Sequence, residues 1–277
     1  MKEVKKAVIP AAGLGTRMLP ITKAQPKEMV PVVHKPVIQY VIEEAYHAGI
    51  TDILVVTGKG KDAIENHFDI LGDNSGNKYL EDLEKILKKV NIFYTRQKEL
   101  KGLGDAVSYG ESFVGDEPFA LLLGDTITTP PCIKELIEIY NRYQSCIIAV
   151  EKVPPEKVSS YGIINGEEIG PGIFKINDLV EKPHLAVAPS DLAILGSYIL
   201  TPQIFSCIRN TGPGHKGEIQ LTDALKLLMK EQSLYAYHYR GKRYDIGNKS
   251  DWLKANIELA LEDEELGQDI RNFLRGI

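Results

Sequence analysis

Short apolar runs alternate with amphipathic stretches of helical length, and no other feature of the chain constrains its fold as strongly. Lys6–Pro10, Asp52–Gly58 (DILVVTG), Asn91–Gln97 (NIFYTRQ) and Phe119–Gly124 (FALLLG) read as buried strands. Pro36 to Gly49 reads as a helix with Ile38, Val41, Ile42 and Ala45 on one stripe, proline early and glycine at the end. Pro131–Gln144 is a second helix, with Ile133, Leu136, Ile137 and Tyr140 facing a core, and Cys146–Val153 follows as a strand. Alternation of this kind predicts an α/β fold: a Rossmann-like mixed, mostly parallel sheet flanked by helices.

Beyond Val153 the rhythm shortens. Tyr161–Asn165, Gly172–Val180 and Leu192–Leu200 read as strands separated by glycine and proline, which predicts a small antiparallel lobe. A capped helix is expected from about Glu218, with Leu221, Ala224, Leu225 and Leu228 as its stripe, then a strand at Tyr235–Tyr239 and a helix over Lys249–Asp263. The loop Gly72–Asn77 is polar and expected to be mobile. Without repeats or low-complexity linkers, the 277 residues read as a single domain.

A net charge of −5 with dispersed Lys and Arg argues against a nucleic-acid surface. No apolar run approaches the roughly 18 residues of a membrane span, and no signal peptide is expected before the first strand. Cys132, Cys146 and Cys207 are odd in number and widely spaced, so buried thiols are expected rather than a disulfide framework or a metal site. Asn248-Lys249-Ser250 is read as an accidental match to the glycosylation pattern. A cytoplasmic protein is the resulting expectation.

The chemistry concentrates after the first strand. Ala11-Ala12-Gly13-Leu14-Gly15-Thr16-Arg17 is a loop of small residues whose backbone can approach a nucleotide and aim N–H groups at phosphates. Arg17 and Lys27, the latter in Pro26-Lys27-Glu28-Met29, add the positive charge a polyphosphate needs. Both lie at the carboxyl edge of the expected sheet, where α/β ligands bind. Gly13-x-Gly15 alone is a weak signal. A dinucleotide fingerprint would place its third glycine near Met18, and Gly58-Lys59 stands where a ribose-binding acid is expected. No GxxxxGK[ST] string occurs, and the lysines of Gly58-Lys59-Gly60-Lys61 are expected to be solvated.

Asp125 follows an apolar strand directly and is placed to hold Mg²⁺ against substrate phosphates, although a turn or cap role fits the same position. Asp245, in Tyr244-Asp245-Ile246-Gly247, is the natural second carboxylate. In Glu181-Lys182-Pro183 adjacent strand residues face opposite ways, so no ion pair between them is expected. Glu181 could accept from sugar hydroxyls while Lys182 holds a phosphate, and an exposed strand end fits equally. The six histidines show no metal-binding spacing, and no nucleophile triad is visible.

AAGLGTRMLP, TKAQPKEMVP, RQKELKGLGDAV, LLGDTI, SYGII, LVEKP, GEIQLTDAL and YDIG follow one another along nearly the whole chain. In this order they resemble the bacterial-type UTP–glucose-1-phosphate uridylyltransferases (UDP-glucose pyrophosphorylases) of the sugar-phosphate nucleotidyltransferase superfamily. The GxGTR loop and VEKP belong to the wider superfamily, whereas PKEM, Gly102-Leu103-Gly104 and Glu218–Asp223 look closer to the uridylyltransferase branch. The resemblance implies that Ala11, Ala12, Gly13, Gly15 and Thr16 form the nucleotide loop, and that Gln97 and Gly102 read the uracil edge. It implies that Arg17 and Lys27 hold the triphosphate and that Asp125 and Asp245 bind Mg²⁺. Gly162, Glu181 and Gly196 would line the glucose pocket, with Lys182 on the sugar phosphate. The YDIG motif departs from members with Phe and Cys around the aspartate and glycine, without touching the carboxylate.

The implied reaction joins UTP and glucose 1-phosphate into UDP-glucose and pyrophosphate. It would use a nucleotide-binding part to about residue 153, a sugar-binding part over about 154–247 and C-terminal helices over 248–277. A homo-oligomer, dimer or tetramer, is expected from the resemblance. The rival readings are a glucose-1-phosphate thymidylyltransferase or dual UTP/dTTP enzyme, and a catalytically silent sugar-nucleotide-binding subunit. Retention of Arg17, Lys27, Asp125, Lys182 and Asp245 weighs against the latter.

Overall fold

The computed structural model describes residues 2–70 and 76–276. The loop expected at Gly72–Asn77 therefore lies largely outside the described residues. Asn77 itself is described, and its side chain accepts from the backbone N–H groups of Tyr79 and Leu80 to cap the helix Lys78–Leu87.

The strands are β1 (Lys6–Pro10), β2 (Pro31–Val32), β3 (Lys35–Pro36), β4 (Asp52–Thr57), β5 (Asn91–Arg96), β6 (Phe119–Leu122), β7 (Thr126–Thr129), β8 (Ile147–Lys152), β9 (Gly162–Gly170), β10 (Ile173–Glu181), β11 (Leu192–Leu200), β12 (Tyr235–His238) and β13 (Lys242–Asp245). Nine of them form one sheet in the order β5-β4-β1-β6-β11-β8-β12-β10-β9. β5, β4, β1 and β6 run parallel, as do β8 and β12, whereas β11 is antiparallel to both its neighbours β6 and β8. The antiparallel strands thus continue the same sheet.

Strand alternation divides the core. Ala7 and Ile9 of β1 pack with Ile38, Ile42, Leu83, Ile133 and Leu136 from the helices Val37–His47, Lys78–Leu87 and Ile133–Tyr143. Val8 points to the opposite face, against Val107, Phe205, Leu221 and Leu225 from the helices Leu103–Ser108, Gln203–Arg209 and Leu221–Leu228. β5 was expected as a buried strand but is an edge strand with Phe93 and Tyr94 exposed. Its apolar residues cover one side of a sheet that stops there.

Two irregularities carry the architecture to the site. The first half of β11 pairs with β9 through Leu192↔Ile164 and Ala193↔Ile163, and its second half pairs with β6. The register breaks between Ile194 and Tyr198, at Leu195-Gly196-Ser197, so β11 leaves one partner and joins the other there. β8, β12, β10, β9 and β11 consequently close into a small ring. Separately, β7 and β13 form a two-stranded ribbon that packs on the helix Lys249–Glu262 through Ile127, Tyr244, Ile246 and Ala255. No helix among the described residues is long and apolar enough to cross a membrane.

Candidate active site

β1 ends at Pro10, and the loop that follows is tied down at once by Ala11, whose N–H donates to the Val56 carbonyl at 2.9 Å. Thr16–Met18 is a short 3₁₀ turn anchored by the buried Met18, and Thr22 Oγ1 donates to the Gly15 carbonyl at 2.8 Å. A third such turn, Lys27–Met29, after one at Ile21–Lys23, presents the two charges of Lys27 and Glu28. Lys27 Nζ lies 2.5 Å from Asp125 Oδ2 and 3.9 Å from Glu28 Oε1.

Asp125 sits between β6 and β7, and Asp245 ends β13 directly opposite Thr126. The Ile246 N–H donates to the Asp125 carbonyl at 2.9 Å, which locks the two aspartate segments together. A Cβ placed on Gly247 would lie 2.7 Å from Asp245 Oδ1, 3.1 Å from Asp125 Oδ2 and 2.7 Å from an Arg17 guanidinium nitrogen. Glycine is required at this point because two carboxylates and a cation converge on it. Arg17 reaches Asp245 at 3.6 Å from a largely exposed position. Burial works against the charge of Asp125, but Lys27 and then Arg17 outweigh it and hold the carboxyl below its ordinary value.

Across a cavity of about 600 Å³ stand the residues expected on the sugar side. Gly162 of β9 is paired with Glu181 of β10, and Glu181 Oε2 accepts from Thr222 Oγ1 at 2.7 Å. The expectation that Glu181 and Lys182 would not pair is corrected: Lys182 Nζ lies 2.9 Å from Glu181 Oε1. Lys182 falls just past the strand with φ of 45°, while its N–H donates to the Tyr161 carbonyl at 3.1 Å. That left-handed turn breaks the strand alternation on which the expectation rested. Arg17, Asp125, Gly162, Glu181, Lys182, Gly196 and Asp245 all line this one cavity.

Ala11, Ala12, Gly13, Gly15, Thr16, Lys27, Gln97 and Gly102 stand outside that lining. Gln97 is buried at the end of β5, where its amide Nε2 donates to Asp105 Oδ2 at 2.6 Å. Gly102 has φ of 103°, and a Cβ there would meet the Ile219 carbonyl at 2.7 Å. Ile219 N–H donates to Lys101 and Gly104 N–H donates to Ile219, so KGLG and GEIQ are two sides of one contact. This contact corrects the helix start: Glu218–Gln220 is held extended, and the helix begins at Leu221 with Gln220 as its cap position.

Sequence reasoning passed over three residues of the site region. Lys61, expected to be solvated, is buried, donating to the Gly13 carbonyl at 2.7 Å and to Glu28 Oε2 at 2.6 Å. Glu28 is fully buried, and nothing in the string PKEM signals that burial. Arg243, two residues before Asp245 and so on the same face of β13, lines the cavity with its guanidinium over the Tyr161 ring and bonded to Glu151 at 2.5 Å. Its position in the alternation with Asp245 was the available signal. The three cysteines are free and buried, as expected.

Among the described residues no group of three or more His, Cys, Asp or Glu side chains could cage a metal. Two carboxylates beside an open cavity instead fit Mg²⁺, which commonly takes one or two carboxylates and completes its shell with substrate phosphates and water.

Residues 6–262 match the family model described as nucleotidyl transferase, and the chain belongs to that family. It is 52% identical, over 99% of its length and 100% of the other, to a Methanocaldococcus jannaschii protein ascribed UTP–glucose-1-phosphate uridylyltransferase activity. It is 48% identical to UTP–glucose-1-phosphate uridylyltransferase 2 of Staphylococcus saprophyticus, over 99% of this chain and 98% of that one. A crystal structure of UDP-glucose pyrophosphorylase complexed with UDP-glucose superposes with a TM-score of 0.89 at 44% identity, covering 94% of this chain and all of that one.

Proposed function

We propose that the protein is a UTP–glucose-1-phosphate uridylyltransferase that uses Mg²⁺. The observation that carries the reading is the convergence of Asp125, Asp245 and Arg17 at Gly247, in the one cavity that Glu181 and Lys182 also line. Relatives of this activity match nearly the whole chain, which supports the same reading.

A phosphate oxygen of glucose 1-phosphate forms a bond to the α-phosphorus of UTP, and the bond from that phosphorus to the β-phosphate oxygen breaks, expelling pyrophosphate. The attacking oxygen is already an anion, so no side chain need remove a proton. What the protein must supply is alignment and positive charge, because two polyanions are held together against their repulsion. Lys27 and Arg17 serve the triphosphate and Lys182 serves the sugar phosphate. Ala11, Ala12, Gly13, Gly15 and Thr16 offer backbone to the nucleotide, with Gln97 and Gly102 at the base. Glu181, Gly162 and Gly196 form the sugar pocket. Asp125 and Asp245 would hold Mg²⁺, which when bound supplies charge neutralisation at the phosphates.

The nucleotide-binding part extends to about residue 153, the sugar-binding part to about 247, and helices close the chain. A cytoplasmic location accords with three unpaired thiols. A homo-oligomer accords with exposed Leu253, Ile257, Phe273 and Leu274 on the last two helices.

A panel of UTP and dTTP against several sugar 1-phosphates tests the reading. Preferred formation of UDP-glucose supports it. Equal or better use of dTTP would transfer the protein to the thymidylyl branch, a distinction of one methyl group worth about 1–3 kcal/mol in a pocket.

A further inference from the structure

Lys61 and Glu28 form a buried ion pair that the reaction as set out above does not use. Lys61 Nζ bridges the Gly13 carbonyl at 2.7 Å and Glu28 Oε2 at 2.6 Å. The Lys61 side chain is 5% exposed and that of Glu28 is not exposed at all. The other Glu28 oxygen, Oε1, is buried without a hydrogen-bond partner and lies 3.9 Å from Lys27 Nζ. The four charges therefore run in a chain, Lys61 to Glu28 to Lys27 to Asp125, from beneath the nucleotide loop to the carboxylate at the cavity.

Burying such a pair gains little stability by itself, since desolvation of two ions offsets most of their attraction. Burial indeed pushes the Lys61 ammonium below and the Glu28 carboxyl above their ordinary values. The placement instead has consequences for geometry. Lys61 is the side chain that fixes the Gly13 carbonyl, and with it the direction in which the loop's N–H groups point. Glu28 is the second carboxylate facing Lys27. Were Asp125 to hold a divalent cation, Glu28 would remain as the anion facing Lys27.

We propose that Lys61 and Glu28 are positioning residues for the nucleoside triphosphate, setting the Gly13 carbonyl and the Lys27 ammonium without touching the sugar phosphate. The proposal rests on the uridylyltransferase reading and deepens it at the nucleotide half of the site.

The test uses the full chain and compares wild type with Lys61→Met/Glu28→Gln, a double replacement that leaves no unpaired buried charge. Three quantities are measured: the melting temperature, the Kd for UTP with Mg²⁺ by calorimetry, and separate KM values for UTP and glucose 1-phosphate. The expected result is a melting temperature within a few degrees of wild type, a UTP Kd at least tenfold weaker, and a glucose 1-phosphate KM within twofold. A folded double variant that binds UTP within twofold of wild type overturns the proposal, as does an equal loss for both substrates. If the double variant does not fold, Lys61→Arg decides the matter. It keeps the charge beside Glu28 but replaces a point donor by a planar one, and unchanged UTP affinity there overturns the proposal, whereas weakened affinity at unchanged melting temperature supports it. A wild-type protein that binds UTP but makes no UDP-glucose would defeat the functional reading, and the UTP-binding comparison would still judge the pair.

Discussion

Lys27 and Asp125, 98 residues apart in sequence, are joined at 2.5 Å behind the cavity that Asp125 lines. Each is the other's counter-ion before any substrate arrives. Under the proposed function this pair would have to open, Asp125 toward the cation and Lys27 toward phosphate, each charge balanced by the other until then.

Replacing either partner should therefore damage turnover far more than folding. Asp125→Ala is expected to lose Mg²⁺-dependent turnover while retaining a cooperative melt. Lys27→Met is expected to lose on the order of 10²-fold or more in kcat, in line with the loss of one preorganised electrostatic contact. Steady-state kinetics beside circular-dichroism melts check both outcomes.

On the sugar side, Lys182→Met should also lose on the order of 10²-fold. Here the effect should appear in the kcat/KM for glucose 1-phosphate, with UTP affinity changed little, because Lys182 and Glu181 line the cavity whereas the Ala11–Gly13 loop stands outside its lining. Varying each substrate in turn at saturating levels of the other separates the two.

The Lys27–Asp125 pair also fixes a pH dependence. The Asp125 carboxyl titrates below its ordinary value near 4, so its contribution to stability is present above that value and is lost as pH falls through the depressed one. The Lys27 ammonium titrates above its ordinary value near 10.5, its attraction to Asp125 and Glu28 outweighing burial. Its contribution is present below that value and is lost as pH rises through the raised one. The melting-temperature difference between wild type and Asp125→Asn should thus stay flat from about pH 5 to 9 and change below about pH 4. A difference that drifts through the neutral range would contradict the pairing.

Much of this architecture was legible in the chain. The strands β1, β4, β6 and β8 announce themselves because a strand covered on both faces must be apolar throughout, and the helix stripes follow from the same cores. β7 and β13 were not legible. TITT and KRYD are four residues each and of mixed polarity, and only their pairing with one another makes them strands. That pairing sets Asp245 beside Asp125, so the second carboxylate could be named from its motif but not placed. Lys61 is not legible because a lysine reads as solvated until its partner is known, and Glu28 lies 33 residues away. The Glu181–Lys182 pair escapes sequence reading because alternation holds only to Glu181, and Lys182 beyond it takes a left-handed backbone that no apolar pattern marks.

Gly102 marks a point where the backbone itself is specified. Gly102→Ala would combine an unfavourable left-handed conformation with a clash against the Ile219 carbonyl, and is expected to destabilise the protein by about 1–3 kcal/mol. With Gln97 at the base as proposed, it should also weaken nucleotide binding, because Gln97 Nε2 faces the Gly102 carbonyl at 3.4 Å. Chemical denaturation and UTP calorimetry on the variant measure both effects.

The thiols should be inert in the folded state. Burial pushes the Cys146 thiol up to about 11, which leaves a thiolate fraction of about one in a thousand at pH 8. Ellman's reagent should report essentially no rapid reaction from the native protein and three thiols after unfolding.

Pyrophosphate release, followed with UTP and glucose 1-phosphate together and separately, with and without Mg²⁺, bears most directly on the whole picture. Wild-type protein should release pyrophosphate only when both substrates and Mg²⁺ are present, and Asp125→Ala should release none above background. Pyrophosphate formed without glucose 1-phosphate, or at a near-normal rate by Asp125→Ala, would contradict it.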